Sequence, residues 1–190
     1  FKLAKDFKKI DAIDEDDSNI KYCKKISTAK NVTFIESTAK NYKSKTKYDI
    51  ILFSWIGFHY HKDYKEIIEN IKPLMHSKTT LIILDAYPET EYIDILQLIR
   101  ERDMNEVKKL KEDFSDYLIK EFKNFDQKIV LTKYKFPSIE ELINNFRIEL
   151  TLEESHIWTK EDEEKIRKFI SNKKHPLIVQ EGLWMTIILP

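Results

Sequence analysis

The first half of the chain alternates short apolar runs with amphipathic segments, a pattern that predicts strands and helices in turn. The predicted strands lie at residues 9–13, 32–36, 49–55 and 81–84. The last two are strongly apolar, which is typical of strands buried on both faces of a parallel sheet. A helix is predicted to begin at Asp63, with Glu66 in the capping-box position, and to end before Pro73. Strands that alternate with helices indicate βαβ crossovers and a mostly parallel sheet.

The pattern changes after Asp85. Apolar residues recur at helical spacing in two stretches, at 92–99 and at 107–117, and together they predict two helices without an intervening strand. A third helix is predicted after Ser138, which has Glu141 in the capping-box position. Further along the chain, we predict extended segments at 129–136, 147–152 and 183–189, and a helix at 159–170.

Length, charge and cysteine content narrow the class of protein. A chain of 190 residues favours one domain. Its 33 basic and 33 acidic residues balance, so the whole chain has no electrostatic preference for nucleic acid or acidic membranes. The single cysteine, Cys23, excludes a disulfide within the chain and is typical of a cytoplasmic protein. The longest near-apolar run, residues 50–58, is too short for a membrane helix.

In open parallel sheets, ligands bind beyond the carboxyl ends of the strands. This rule selects Asp14 after the first strand, Ser37 and Thr38 after the second, residues 55–60 after the third, and 85–87 after the fourth. Asp14 is the most specific of these, because a carboxylate there can accept hydrogen bonds from both hydroxyls of a ribose. The alternative is that Asp14 is an ordinary loop acid or caps the helix that follows.

Several segments, taken in order, resemble the class I S-adenosylmethionine-dependent methyltransferases, particularly those acting on small molecules. Residues 13–16 resemble the second strand of that family and its ribose-binding acid, and residues 32–39 its third strand and adenine-contacting turn. Residues 48–59 resemble the fourth strand, which ends at the methyl-transfer site. Residues 71–73, together with the strand ending at Asp85, resemble a conserved Lys-Pro turn and the fifth strand.

The resemblance implies an α/β fold: a Rossmann-like, doubly wound, mostly parallel sheet with an antiparallel last strand and a helical insertion after the fourth visible strand. It also implies one domain over residues 1–190, with a cofactor-binding core at 1–87, a helical substrate cover at 88–137, and C-terminal helices and strands at 138–190. S-adenosylmethionine is the implied cofactor. The implied cofactor-binding residues are Asp14, Glu15, Thr38, Ala39, Ser54 and Trp55.

For the transfer itself, the resemblance implies a small-molecule acceptor. His59 is the candidate general base, because the unperturbed pKa of histidine lies near neutrality. The candidate acceptor-binding residues are Phe58, Tyr60, Asp85 and Tyr87. His59 and His61 could suggest a metal site, but no third ligand lies near them in the sequence, so no metal is expected.

The chain departs from the family in its glycines. It has only two, and none forms the glycine-rich cofactor loop, so we expect that loop and the first strand to precede Phe1. Thr38 also replaces the usual adenine-contacting acid.

Two alternatives to a small-molecule methyltransferase are therefore a non-catalytic, methyltransferase-like binding module and a nucleic-acid methyltransferase. The second is suggested by the lysines at 40–47. A short-chain dehydrogenase is disfavoured, because no tyrosine has a lysine four residues later.

Overall fold

The computed structural model describes residues 2–54, 63–87, 89–100, 104–154 and 156–190. The chain divides into two compact units. The first comprises Phe1–Asp49 and Asp63–Thr79, and the second comprises Ile50–Lys62 and Thr80–Pro190. Two of the strands contain residues of both units.

The first unit contains a parallel strand pair with its crossover helix. Its elements are a 3₁₀ turn at Lys2–Lys5, β1 at Ile10–Asp14, α1 at Asp17–Ile26, β2 at Val32–Glu36, α2 at Tyr64–Ile71 and a second 3₁₀ turn at Lys72–Leu74. Strands β1 and β2 pair in parallel, from Ile10 opposite Val32 to Asp14 opposite Glu36. The crossover helix α1 begins at a capped end, where the Asp16 carboxylate accepts a hydrogen bond from Ser18 N at 2.7 Å.

The remaining elements form a four-stranded sheet and a group of helices. They are β3 at Tyr48–Ser54, β4 at Met75–Ala86, α3 at Glu91–Arg100, α4 at Met104–Glu121, β5 at Phe125–Lys135, α5 at Ile139–Glu154, α6 at Lys160–Ser171 and β6 at Ile178–Ile188. The strand order is β3-β4-β6-β5, and β6 is antiparallel to both β4 and β5. The predicted antiparallel last strand and the helical insertion after the fourth strand are therefore confirmed.

The strand predicted at residues 147–152 is wrong, because these residues belong to helix α5. Leu142, Phe146 and Leu150 recur four residues apart, and their side chains are completely buried. This helical stripe outweighs the short alternation of polar and apolar residues that suggested a strand. The extended segment predicted at 129–136 is confirmed, because residues 129–135 belong to β5. This strand pairs with β6.

The hydrophobic core of the second unit lies among α3, α5 and α6. Its buried side chains are Ile93, Ile95, Leu96, Ile99, Leu142, Ile143, Phe146, Leu150, Ile166, Ile170 and Val179. Each large side chain of this kind contributes about 1.5–3 kcal/mol when it is withdrawn from water. In the ranges that the structure describes, no helix has the length and apolar character needed to cross a bilayer.

Helix α6 begins with a capping box that is linked to a histidine. The Thr159 hydroxyl accepts a hydrogen bond from Asp162 N at 3.2 Å, and the Asp162 carboxylate accepts one from Thr159 N at 2.8 Å. His156 Nε2 lies 3.0 Å from the same carboxylate. Burial acts to raise the pKa of Asp162, but the hydrogen bonds from His156 and Thr159 outweigh it and hold the pKa below its usual value of 3.8.

We predict that Asp162→Ala lowers the free energy of unfolding at neutral pH by about 1 kcal/mol, because the capping box is lost. A carboxyl whose pKa is lowered by folding stabilises the protein above the unfolded pKa, about 3.8, and this stabilisation disappears as the pH falls through the folded value. Urea denaturation of both proteins between pH 3 and 7 should show the difference shrinking at the acid end. Glu164→Ala, an exposed acid on α6, is the control. A pH-independent difference would contradict the charge-based role.

Candidate functional site

The loops that follow β1 and β2 lie side by side. Because the two strands are parallel and in register, Asp14 and Glu36 end them at the same edge. Ser37 N donates a hydrogen bond to Asp14 O at 3.0 Å, which joins the two loops directly. The structure therefore brings the predicted ribose-contacting acid next to the predicted adenine-contacting turn, within the first unit.

The two carboxylate oxygens of Asp14 have different surroundings. Oδ1 accepts a hydrogen bond from Asp16 N at 2.9 Å, which shapes the entry to α1. Oδ2 has a 3.4 Å contact with Asn19 Nδ2, a long and weak hydrogen bond. The neighbouring Glu15 is exposed. Asp14 therefore serves the local turn with one oxygen, while the other retains capacity to accept a hydrogen bond from a ligand hydroxyl.

Thr38 organises the turn after β2. Its hydroxyl oxygen accepts a hydrogen bond from Asn41 N at 3.1 Å. Its carbonyl oxygen accepts hydrogen bonds from Asn41 N at 3.1 Å and Tyr42 N at 3.0 Å. A threonine hydroxyl that accepts a bond still carries a proton to donate, so Thr38 can offer one to a ring nitrogen of a bound base. Thr38 and Ala39 are both half-buried at this turn.

The lysine-rich loop after this turn is tied to its own chain. Lys40 Nζ lies 2.7 Å from Glu66 Oε2 and 3.3 Å from Asp63 Oδ2, and these bonds raise the pKa of Lys40. Lys47 Nζ donates to Met75 O at 2.8 Å.

The predicted capping box of α2 is wrong in its bonding. Asp63 does occupy the cap position, but its side chain makes no capping bond, and both acids pair with Lys40.

Asp11 is an acid that the sequence analysis missed. It lies in the middle of β1, and its side chain is 5% exposed. Its Oδ2 accepts hydrogen bonds from Tyr48 at 2.5 Å, Lys9 at 3.1 Å and Tyr42 at 3.4 Å. Burial acts to raise the pKa of Asp11, but the bonds from Tyr48 and Lys9 outweigh it and lower that pKa. The only signal in the sequence is an acid inside a short apolar strand.

Tyr48→Phe should destabilise the protein by about 1–3 kcal/mol, because it removes the shortest hydrogen bond to a carboxylate that stays buried. Chemical denaturation at neutral pH measures this loss. The matched control is Tyr22→Phe, which removes a hydroxyl from an exposed position on α1. Equal stabilities for Tyr48→Phe and wild type would show that Asp11 does not depend on this donor.

The second unit carries the other predicted site residues that the structure describes. Ser54 is exposed at the end of β3. Asp85 is 4% exposed near the end of β4, and its Oδ1 accepts a hydrogen bond from Ala86 N at 3.0 Å. Tyr87 N donates to Gly182 O at 2.8 Å, which extends the pairing of β4 with β6, and the Tyr87 hydroxyl donates to Glu89 at 2.8 Å.

The predictions for Trp55, Phe58, His59 and Tyr60 fall outside the described residues. The same holds for His61, the second histidine considered for a metal. Across the part of the chain that the structure describes, no group of three or more His, Cys, Asp and Glu side chains could hold a metal ion. Of the predicted residues that the structure describes, Asp14 and the Thr38 turn are therefore brought together in the first unit, whereas Asp85 and Tyr87 of the second unit are neighbours only along the chain.

Comparisons with known proteins give the same architecture. No protein-family model matches the chain, and no curated protein matches it significantly. Among solved structures, it is similar to a proposed methyltransferase from Bacillus halodurans, with 14% identity, a TM-score of 0.63, and coverage of 99% of this chain and 86% of that one. The YcgJ protein from Bacillus subtilis gives 12% identity, a TM-score of 0.61, and coverage of 98% and 85%.

A proposed type II methyltransferase from Anaeromyxobacter dehalogenans gives 13% identity, a TM-score of 0.57, and coverage of 98% of this chain and 83% of that one. At such low identity, the likeness shows the fold alone. The matches nevertheless extend over nearly the whole chain, including the helical insertion and the last strand. The prediction of fold class is therefore confirmed: the chain has the Rossmann-like α/β fold of the methyltransferases.

Proposed function

We propose that this chain transfers a methyl group from S-adenosylmethionine to a small organic acceptor. The observation that carries the proposal is the 3.0 Å hydrogen bond between Ser37 N and Asp14 O. It supports the proposal because our candidate ribose-binding acid, Asp14, and our candidate adenine-contacting turn, at Thr38, lie side by side at the carboxyl end of a parallel strand pair. In a fold of this class, that edge is where nucleoside ligands bind.

The hydrogen-bonding groups at the candidate site in the first unit match those of an adenosine. Asp14 Oδ2 has only one long contact with a described residue, so it is suited to accept hydrogen bonds from ribose hydroxyls. Glu15, which is exposed beside it, supplies a second carboxylate. The Thr38 hydroxyl can donate a hydrogen bond to the base. At the same turn, the methyl side chain of Ala39 is too small to obstruct a flat ring.

S-adenosylmethionine supplies a methyl group on a sulfonium that is already a good leaving group. The protein therefore has to align the acceptor with the methyl group and exclude water. A general base is needed only if the attacking atom of the acceptor carries a proton at the working pH. His59 is our candidate for the base that accepts this proton. Ser54 and Trp55 are our candidate cofactor-binding residues, and Phe58, Tyr60, Asp85 and Tyr87 are our candidate acceptor-binding residues.

A small acceptor is favoured over nucleic acid by the bonding of the lysine loop. Lys40 pairs with two acids of α2, and Lys47 is bonded to a backbone carbonyl. The charge of Lys40 is therefore already balanced by two carboxylates, which lowers the positive potential that a phosphate would meet at this loop. The formal charge of the whole chain is zero, which adds no general attraction to a polyanion.

Binding is tested by thermal shift of the full-length protein with S-adenosylmethionine, S-adenosylhomocysteine and NAD. A ligand that binds only the folded state raises the midpoint, by a stabilisation of about 2.7 kcal/mol at a hundred times its Kd. We expect a shift with both adenosyl ligands and none with NAD. A shift with NAD alone would contradict the proposal. Binding without methyl transfer to any acceptor would instead favour the non-catalytic module.

Asp14→Ala should weaken S-adenosylhomocysteine binding about tenfold or more, because a charged acceptor for the ribose hydroxyls is lost. Asp17→Ala is the control, since it removes an acid three residues further on that pairs with Lys21 on the surface of α1. Calorimetric titration gives both affinities. If Asp14→Ala binds as tightly as wild type, Asp14 does not contact the ligand.

A further inference from the structure

Helix α2 is attached to the turn after β2 through a single carboxamide. Asn70 Nδ2 donates hydrogen bonds to Ala39 O and to Tyr42 O, each at 2.9 Å. Its other polar atom, Oδ1, accepts a hydrogen bond from Lys43 Nζ. The three hydrogen bonds of this side chain to described residues are therefore all made to residues 39–43. We call this set of contacts the Asn70 bridge.

The Asn70 bridge contacts the same turn that is closed by hydrogen bonds to Thr38. Thr38 O already accepts from the amides of Asn41 and Tyr42. Of the two carbonyls that Asn70 contacts, the one at residue 39 lies within that hydrogen-bonded turn and the one at residue 42 lies at its end. Internal bonds fix the shape of the turn, whereas a bond to α2 fixes its place relative to the rest of the unit.

The other contacts between α2 and this loop are weaker constraints. Lys40 pairs with Asp63 and Glu66, but 38% of the Lys40 side chain and 61% of each acid side chain are exposed. Exposed ion pairs contribute little and are screened by salt. The Asn70 carboxamide is partly buried and uncharged, and it offers two short bonds with defined directions. Among the contacts described between α2 and the turn, it is therefore the one with the best-defined geometry.

We propose that Asn70 is a positioning residue for adenine recognition, an inference that rests on the proposed function. Asn70 does not itself contact the ligand. It holds the turn so that the Thr38 hydroxyl and the neighbouring backbone meet the edge of the base. Hydrogen bonds weaken steeply with distance and angle, so a displaced turn loses selectivity for adenine as well as affinity.

The chain offers a matched control in Asn31. Its Nδ2 also donates to two backbone carbonyls, Ala4 O at 2.6 Å and Phe7 O at 2.7 Å, but these belong to the segment before β1. Asn70→Asp and Asn31→Asp are therefore the same substitution on the same kind of bridge. Each keeps the shape of the side chain and replaces both amide donors with a carboxylate oxygen that cannot donate.

The test compares binding of S-adenosylhomocysteine with binding of S-inosylhomocysteine, in which an oxygen replaces the 6-amino group of the base. For Asn70→Asp, we expect about a tenfold loss of S-adenosylhomocysteine affinity and a much smaller preference for adenine over hypoxanthine. For Asn31→Asp, we expect the wild-type preference, whatever stability is lost. Circular dichroism confirms folding at the titration temperature, and Asn70→Ala replaces Asn70→Asp if the latter is unfolded.

Hydrogen exchange separates this inference from the proposed function. The amides of Asn41 and Tyr42, which bond to Thr38 O, should exchange faster in the Asn70 variant than in wild type or Asn31→Asp. If wild type binds neither nucleoside, the proposed function is overturned, and exchange still decides whether Asn70 holds the turn. If wild type binds and the Asn70 variant keeps the same affinity and base preference, the positioning role is wrong.

Discussion

The parallel pairing of β1 with β2 is the constraint on which the candidate adenosine site depends. Parallel strands place their carboxyl ends at one edge, and here the register brings Asp14 opposite Glu36. The hydrogen bond from Ser37 to Asp14 then extends the pairing one residue beyond the strands. The loops that carry Asp14 and Thr38 are adjacent because the strands are parallel and in register. A slip by one residue would turn every side chain of one strand to the opposite face.

Two polar networks maintain this arrangement from different sides. Asp11, in the middle of β1, is bonded by tyrosines from the loop after β2 and from the start of β3. Asn70, on α2, is bonded to the turn that contains Thr38 and Ala39. Both networks join segments that are about thirty residues apart in the sequence. They tie the candidate site into the first unit without using Asp14 or Thr38 as structural anchors.

The second unit is stabilised differently, by apolar packing and by an antiparallel strand. Helices α3, α5 and α6 supply most of its buried side chains, and β6 lies between β4 and β5. The end of β4, which carries Asp85 and is followed by Tyr87, is held by the bond between Tyr87 and Gly182 of β6. A Cβ atom on Gly182 would lie 3.0 Å from Tyr87 Cβ, so a glycine allows this close approach.

The sequence predicts those features that depend on local periodicity. The strands ending at Asp14 and Glu36 and the helical insertion are visible as short-range patterns. The same is true of the start of α5, where Ser138 Oγ accepts a hydrogen bond from Glu141 N at 3.1 Å. The strand wrongly predicted at 147–152 shows where such patterns conflict: six alternating residues cannot reveal that Leu142 and Phe146 continue the same helical stripe. The roles of Asp11 and Asn70 could not be predicted, because their partners lie far along the chain. For the same reason, the pairing of Asp63 and Glu66 with Lys40 was missed.

The central claim is that an adenosyl ligand binds at the joined ends of β1 and β2. Titrating isotopically labelled, full-length protein with S-adenosylhomocysteine and following the backbone amide resonances tests this directly. We expect the largest saturable shifts in the first unit to cluster at residues 14–16 and 37–42. Saturable shifts that leave both loops unchanged, or no shifts at all, would contradict it.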